Sequence, residues 1–302
     1  MIELTQNTQG RAASTVSEDW DYNVVLEDLF TAEGKNTGLK CTRRTDTGKV
    51  LAAVTKDYGI ANNCDVLGVT DDLFASRPDL GGYERKVRVL RGGARVYATY
   101  DFKDKTIEVP KVGDELGLRL TVNNSFDRSC RVSFTLGMLR LICTNGMTTL
   151  QQEYHMTKKH SNRLDLSFIK NSLDSVLEGF ENLRKDSNIF TVMADREISQ
   201  DQGLAILENL KTKSVIAEAH RENIARIWND PSHVEDENRN LYNLLNASTE
   251  YITRNIEGER FELASRMTRG ITSRLKKAAE SGKVLETLTT LPKQDEVLTI
   301  TE

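Results

Sequence analysis

The 302-residue chain lacks the signatures of a disulfide framework, a zinc site and a membrane protein. Its four cysteines share no C-x-x-C spacing, so we expect reduced thiols; they are Cys41, Cys64, Cys130 and Cys143. No window approaches the roughly 18 uninterrupted apolar residues that a membrane span requires. The first residues show no basic stretch followed by an apolar run, so we expect no secretory signal. These absences predict a cytoplasmic protein with no membrane contact.

Common catalytic motifs are also missing. Glu33-Gly34-Lys35 lacks the upstream glycine of a phosphate-binding loop, and neither G-x-G-x-x-G nor G-x-S-x-G is present. His155 and His160 would lie about 140° apart on a helix, which does not suit a shared zinc ion. We therefore expect no cofactor and no metal. An enzymatic activity stays open but is disfavoured.

The charge of the chain is unevenly distributed. The net charge of −4 argues against a nucleic-acid binder that uses its whole surface. Residues 81–140, however, carry 12 basic and 7 acidic side chains and form the only net positive segment of the three into which we divide the chain. A local basic groove is compatible with this distribution.

Alternating and β-branched apolar residues dominate the first half, which predicts a β-rich domain over residues 1–160. A Gly-Gly turn joins two of the expected strands into a hairpin. We also expect minor helices, one of them over Val24–Phe30. The predicted strands are Val50–Thr55, Lys86–Leu90, Ala94–Tyr100, Leu116–Val122 and Cys130–Cys143.

Helical spacing replaces alternation in residues 161–302, which form a helical region or a part of the same domain. The fold class that follows is α+β, with a curved antiparallel sheet in the N-terminal half and a mainly helical C-terminal half. Glu296–Glu302 fits either an edge strand or a frayed tail. The predicted helices are an apolar stripe from Leu166 to Leu183, a stretch from Gly203 toward Trp228 that ends at Asp230-Pro231, Glu237–Asn255, and Glu259–Ser281 closed by Gly282.

The predicted hairpin carries basic residues interleaved with tyrosines. Lys86 and Arg88 would alternate with valines on one strand, and Arg95 and Tyr97 would share a face of the next, with Tyr100 opposite. Guanidinium groups that meet phosphates beside a ring that stacks on bases suit single-stranded nucleic acid. The alternative is the solvated outer face of a half-buried sheet.

A second polar patch combines the turn Asn123–Arg128 with the segment Arg140–Gly146. Its asparagines either cap neighbouring backbone groups or contact phosphates, ribose or bases. The candidate nucleic-acid-binding residues of both patches are Arg85, Lys86, Arg88, Arg91, Arg95, Tyr97, Tyr100, Asn124, Arg128, Arg140 and Asn145.

These residues also carry a resemblance to the phage/plasmid-like proteins, a family of unknown function from phages, plasmids and prophages. The motifs are Arg44-Thr-Asp-Thr-Gly-Lys49, Tyr58, Asn62-Asn63, Arg91-Gly-Gly93, Asn124–Asp127 and Arg140–Gly146. The resemblance covers roughly residues 20–200 and implies a mobile genetic element, without a cofactor or a catalytic residue. The family usually has glycine or a small residue where this chain has Arg128. By themselves, residues 44–49 fit a tight turn before a strand.

Two functions compete. The first is a phage or plasmid protein that binds, and possibly anneals, single-stranded DNA in recombination or replication, with the helical third mediating homo-oligomer formation. The alternative is an anti-defence or takeover factor that binds a host protein and has no nucleic-acid activity. A nuclease that uses Asp46, Asp57 and Asp127 ranks last, because two-metal chemistry needs carboxylates that converge in space.

Overall fold

The described part of the computed structural model divides into two compact units. The first lies within residues 1–105, 117–136 and 152–179, and the second within residues 106–116, 137–151 and 180–302. Antiparallel sheets in the N-terminal half and helices in the C-terminal half confirm the α+β class. The structure describes residues 20–109, 114–140, 146–147, 155–161, 164, 188–257 and 260–291.

A three-stranded antiparallel sheet opens the first unit, in the order β1-β2-β3. Its strands are β1 (Val24–Phe30), β2 (Asn36–Arg44) and β3 (Val50–Thr55). The predicted helix over Val24–Phe30 is wrong, because this segment pairs with β2 from Val24 opposite Arg44 onward. The hydrophobic pattern of these seven residues does not show that the segment pairs with another strand. Gly34, at a φ of 79°, supplies the turn that makes it possible.

Helix α1 (Asn63–Ala75) follows the first sheet and buries an apolar face. Its Phe74 ring lies 4.8 Å from the ring of Phe102 and 5.2 Å from that of Tyr100. Both partners lie on a strand of the second sheet, so α1 covers the aromatic part of that sheet within the first unit.

The second sheet has the order β4-β5-β6-β7-β8, and β9 pairs with β7. It confirms the predicted hairpin and the two strands that follow it. One face of β5 carries buried apolar side chains such as Val96 and Phe102, and the other carries buried polar ones such as Thr99 and Asp101. The strands are β4 (Glu84–Leu90), β5 (Arg95–Val109), β6 (Asp114–Ser125), β7 (Val132–Arg140), β8 (Gly146–Met147) and β9 (His155–Lys158).

The described helices of the second unit begin at Asn188. The stretch expected from Gly203 to Trp228 is two helices, and Gly282 begins a further helix instead of closing one. The stripe from Leu166 to Leu183 and the segment Glu296–Glu302 lie outside the described residues. The helices are α2 (Asn188–Ala194), α3 (Gln200–Thr212), α4 (Glu218–Asn229), α5 (Leu241–Ile252), α6 (Phe261–Glu280) and α7 (Gly282–Thr289), with a π-helical turn at Thr253–Glu257.

Local chemistry explains where these helices begin and how closely they pack. Ser199 and Gln202 form a capping box at the start of α3, and the Asn240 side chain caps α5. A Cβ on Gly203 would lie 2.4 Å from the Trp228 indole, so only glycine allows α3 and α4 to pack this closely. Among the described helices, none is both long enough and apolar enough to span a membrane.

Candidate functional site

The β4–β5 hairpin places the predicted basic face in register. Arg88 lies opposite Tyr97, and Leu90 lies opposite Arg95. Lys86 is two residues before Arg88, so these two side chains share a face of β4, as alternation predicted. The register places Arg95 and Tyr97 of β5 on the same face of the sheet. Lys86 and Arg88 are exposed on β4, which is the edge strand of this sheet in the described residues.

Burial overturns part of the predicted contact set. Arg95 is 2% exposed, Tyr97 5% and Tyr100 0%, because β5 lies between β4 and β6. Arg95 donates from Nη2 to Asn123 Oδ1 over 3.3 Å. Burial raises the pKa of Tyr100 well above its usual value. None of the three side chains can reach a base or a phosphate in this conformation, so their assignment as contact residues is corrected.

Arg85 lies on the opposite face of β4, where an acidic neighbour neutralises it. Its guanidinium forms an ion pair with Asp71 of α1 and lies 5.0 Å from the Trp20 ring. Burial raises the pKa of Asp71, although the Arg85 charge and the Tyr83 hydroxyl oppose that effect. Arg85 therefore attaches α1 to the sheet and is not available to a ligand.

Arg140 belongs to a buried ion triad in the second unit. Its Nε lies 2.7 Å from Asp114 Oδ2, and its Nη1 lies 2.7 Å from Asp236 Oδ2. The Arg140 side chain is fully buried, so the predicted contact with nucleic acid is wrong for this residue. Asn145, the last residue of the predicted set, lies outside the described residues.

Asn124 has the structural role that was one of its two predicted alternatives. It is 2% exposed and donates from Nδ2 to the Ala61 carbonyl over 2.8 Å and to Asn63 Oδ1 over 3.0 Å. Asn63 in turn donates to the Trp20 carbonyl over 3.0 Å. This amide network connects β6 to the start of α1.

Three turns of the first unit converge instead. We call them the turn cluster: residues 44–49 between β2 and β3, residues 91–93 between β4 and β5, and residues 126–131 between β6 and β7. Phe126 N donates to the Ala94 carbonyl over 2.7 Å, and the Tyr22 hydroxyl donates to the Gly93 carbonyl over 2.6 Å. The motif residues 44–49, 91–93 and 126–127 therefore meet in one place.

Glycines in the middle turn let two cations approach the backbone. A Cβ on Gly92 would lie 2.1 Å from Lys49 Nζ, and one on Gly93 would lie 2.6 Å from Arg44 Nη1. Arg44 stacks over Tyr22 at 3.7 Å, and its hydrogen bonds lower the pKa of Asp46 to about 2. Arg44 is thus neutralised. Lys49 makes no ion pair within the described part of the chain.

Two arginines of the turn cluster adopt a backbone conformation that favours glycine. Arg91 has a φ of 54° and Arg128 a φ of 63°. The left-handed region costs a residue with a side chain about 1–2 kcal/mol. Glycine would adopt the φ of Arg128 without this cost. The sequence could not reveal that Arg91 shares this conformation.

Five of the exposed cations of this region form a set that we call the basic strip. Arg91 lies 3.3 Å from Asp127 Oδ2, next to Arg128 in the chain, and its side chain is 54% exposed. Among described residues, Lys86 pairs with Glu84 at 3.2 Å, whereas Arg88 and Arg128 make no ion pair. Sequence reasoning missed Lys49, whose only signal was its place after glycine in a tight turn. The basic strip consists of Lys49, Lys86, Arg88, Arg91 and Arg128.

The chemistry of the basic strip is that of anion binding. In the part of the chain that is described, no three His, Cys, Asp or Glu side chains cluster in a way that could hold a metal ion. A cavity of about 720 Å³ lies in the second unit at the starts of α3 and α5. The capping groups of its lining, Ser199 and Asn240, already accept hydrogen bonds from the helix backbone. The basic strip remains the better candidate site.

Fold and site together define an α+β protein whose antiparallel sheet carries exposed cations at converging turns. The chain belongs to the family described as Domain of unknown function (DUF932), whose model matches residues 50–281. The match includes the helical third, which the resemblance had left outside its clear range, and it begins just after Lys49. No curated protein matches the chain, and no solved structure does.

Proposed function

We propose that the protein binds single-stranded DNA along the basic strip. The observation that carries the proposal is that Arg91 and Arg128 are held exposed in left-handed conformations on two neighbouring turns. Residues in strained conformations persist where the surrounding structure enforces them, and they cluster at functional sites. An arginine at a position that suits glycine lowers the stability of the protein. Binding of phosphate by the two guanidinium groups would explain why arginine occupies these positions.

The spacing of the cations suits a nucleic-acid backbone. Lys86 and Arg88 are about 7 Å apart along β4, and Arg91 lies about 17 Å from Lys86 at the rise of an extended strand. A flexible single strand can follow such a line, whereas reading a duplex groove requires an inserted helix or two-stranded ribbon. With Tyr97 buried, the proposed contacts go to phosphates, so binding is independent of base sequence.

The proposed setting is a mobile genetic element, with a role in recombination or replication and a homo-oligomeric assembly. Its support is the resemblance of the motif residues of the turn cluster to phage and plasmid proteins. The family description assigns no activity.

The test is a fluorescence-anisotropy titration of a short single-stranded oligonucleotide at several salt concentrations. Each phosphate contact contributes about 0.7 to the slope of log affinity against log salt for single strands. Arg88→Gln should reduce that slope by one such contact. Lys35→Gln removes an exposed cation from the β1–β2 turn, at the other end of β2 from Lys49, and should leave the slope unchanged. Binding that does not weaken with added salt, or no binding at low salt, refutes the proposal.

A second candidate function is binding of a host protein, and a different surface favours it. Phe30 is 54% exposed and Leu39 41%, and both lie toward the β1–β2 turn of the three-stranded sheet. Exposed apolar side chains of this size are typical of protein contacts when they lie close together. If this function is correct, Phe30→Ser with Leu39→Ser should abolish recovery of a stoichiometric partner, and oligonucleotides should not bind to the unmodified protein.

A further inference from the structure

Helix α6 of the second unit carries the densest cationic face among the described helices. Its 20 residues contain five basic and two acidic side chains, in a chain with a net charge of −4. The buried side of α6 is formed by residues such as Ile271 and Leu275. All five cations lie on the remaining side, which we call the α6 basic face: Arg266, Arg269, Arg274, Lys276 and Lys277.

The geometry of a helix places these five cations along one side of α6. At 100° per residue, Arg266 and Lys277 lie about 20° apart around the axis, and at 1.5 Å per residue they are about 16 Å apart along it. Gly270 and Ser273 lie between them on the same side. Arg266 and Lys277 are exposed, and Arg269, Arg274 and Lys276 are half-buried. The result is a row of cations about three turns long, and the Val215 side chain packs against its middle, where a Cβ on Gly270 would lie 2.7 Å from Val215 Cγ1.

The two acidic residues of α6, Glu262 and Glu280, lie on the same side of the helix beyond the two ends of the row of cations. The five cations of the α6 basic face form no ion pair within the described residues, and the hydrogen bonds of Arg269 and Arg274 go to backbone carbonyls of their own helix. Two cations of helices α3 and α4 in the same unit differ from these five, although Arg226 of α4 makes no ion pair among the described residues. These two cations, Lys211 and Arg221, are paired with Glu208 and Glu218. Ion pairs thus form between surface side chains of this unit, whereas the five cations of α6 form none within the described residues.

Helix electrostatics does not account for the row of cations. Cations near the end of a helix are stabilised by its dipole, which applies to Lys276 and Lys277. The effect falls off within the last turn, so it does not reach Arg266 or Arg269. These two arginines require another explanation.

We propose that the α6 basic face is a second surface for the phosphate backbone of nucleic acid. Charge complementarity selects this ligand, because phosphates are anions at regular spacing. A membrane-surface helix would add aromatic or large apolar side chains at the water-exposed boundary, and a protein interface would add an apolar or aromatic anchor. None of the exposed large hydrophobic residues among the described residues lies on α6.

The choice of nucleic acid as the ligand rests on the proposed function, whereas the unpaired cations of α6 stand independently of the basic strip. Two matched double variants separate the two surfaces. Arg266→Gln with Lys277→Gln removes two unpaired charges from α6. Lys211→Gln with Arg221→Gln removes two paired charges from α3 and α4 of the same unit. Glutamine has a helix propensity close to those of arginine and lysine, so circular dichroism should show the helix content unchanged.

The measurement is the salt dependence of affinity for a single-stranded and a double-stranded oligonucleotide of equal length. The α6 variant should lower the slope of log affinity against log salt by about 1.4 for the single strand or about 1.8 for the duplex. The form that the unmodified protein binds more tightly, and whose slope falls by the amount expected for that form, is the preferred ligand. The paired-charge variant should keep the slope of the unmodified protein.

The outcomes distinguish the α6 basic face from the basic strip. If the α6 variant binds like the unmodified protein while Arg88→Gln weakens binding, the α6 inference is wrong and the proposed function stands. If only the α6 variant loses affinity, the inference stands and the basic strip is not the site. Failure of the unmodified protein to bind either oligonucleotide overturns both. Binding to phosphatidylserine vesicles that the α6 variant abolishes, without any change in DNA affinity, assigns the face to a membrane and also overturns the inference.

Discussion

Replacing Arg128 by glycine should stabilise the protein and weaken its affinity for DNA at the same time. Arg128 is exposed, has a φ of 63°, and forms no ion pair in the described part of the chain, so its removal costs few contacts. Relief of the left-handed conformation contributes about 1–2 kcal/mol, and the greater freedom of glycine in the unfolded chain takes back about 0.5–1 kcal/mol.

The net gain of Arg128→Gly is therefore roughly 0.5–1 kcal/mol, which corresponds to a rise in Tm of about 1–4 °C for a domain of 150–250 residues. Differential scanning fluorimetry measures this shift. In the anisotropy titration, the same variant should lose about 0.7 from the salt slope, the contribution of one phosphate contact on a single strand.

Ser214→Gly is the matched control. Ser214 has a φ of 54° and is, besides Arg91 and Arg128, the remaining non-glycine residue of the described chain in this region. Its replacement should raise Tm by a similar amount and leave DNA affinity unchanged, because it carries no charge. If Arg128→Gly raises Tm but binds DNA with the original salt slope, Arg128 contacts no phosphate. If it lowers Tm, the strain argument is wrong.

Three further changes test the interior. Arg140→Met leaves two buried carboxylates without their partner and should cost about 3–5 kcal/mol of unfolding free energy, measured in urea. Gly203→Ala pushes a methyl group into Trp228 and should cost about 1–3 kcal/mol, measured by tryptophan fluorescence. Burial lowers the pKa of His160, which stacks on Tyr58 at 5.1 Å. Its contribution to stability is therefore present above a pH of about 6.5 and lost as the pH falls below it, so His160→Gln should flatten the fall in Tm toward acidic pH.

Alternation and spacing were sufficient for much of the architecture. The strand Val50–Thr55, the β4–β5 hairpin and the helix over Phe261–Glu280 follow from periodicity, because each element buries one face and repeats at its own period. The alternation of Lys86 and Arg88 with valines also followed from the two-residue repeat of a strand, whereas the pairing of Arg88 with Tyr97 comes from the structure. The prediction of a helix over Val24–Phe30 failed because the pairing of this segment with β2 is not visible in its own sequence.

The candidate site was only partly predictable. Periodicity places a residue on a face but does not show whether that face is covered, so Arg95 and Tyr97 were assigned to the surface although both are buried. The pattern of Arg140 equally suited a phosphate contact and a buried ion pair. In both cases the missing information was the set of neighbours.

For this protein, residue order by itself determined the class of fold, the hairpin, and the excess of positive charge in the middle of the chain. These properties depend on local period and composition, which act over a few residues. Tertiary structure alone decided which cations are neutralised, which aromatic rings are buried, and that Lys49, Arg91 and Arg128 meet on converging turns. Those outcomes depend on contacts between residues far apart in the chain. The free energy of such contacts cannot be derived from the sequence of any one segment.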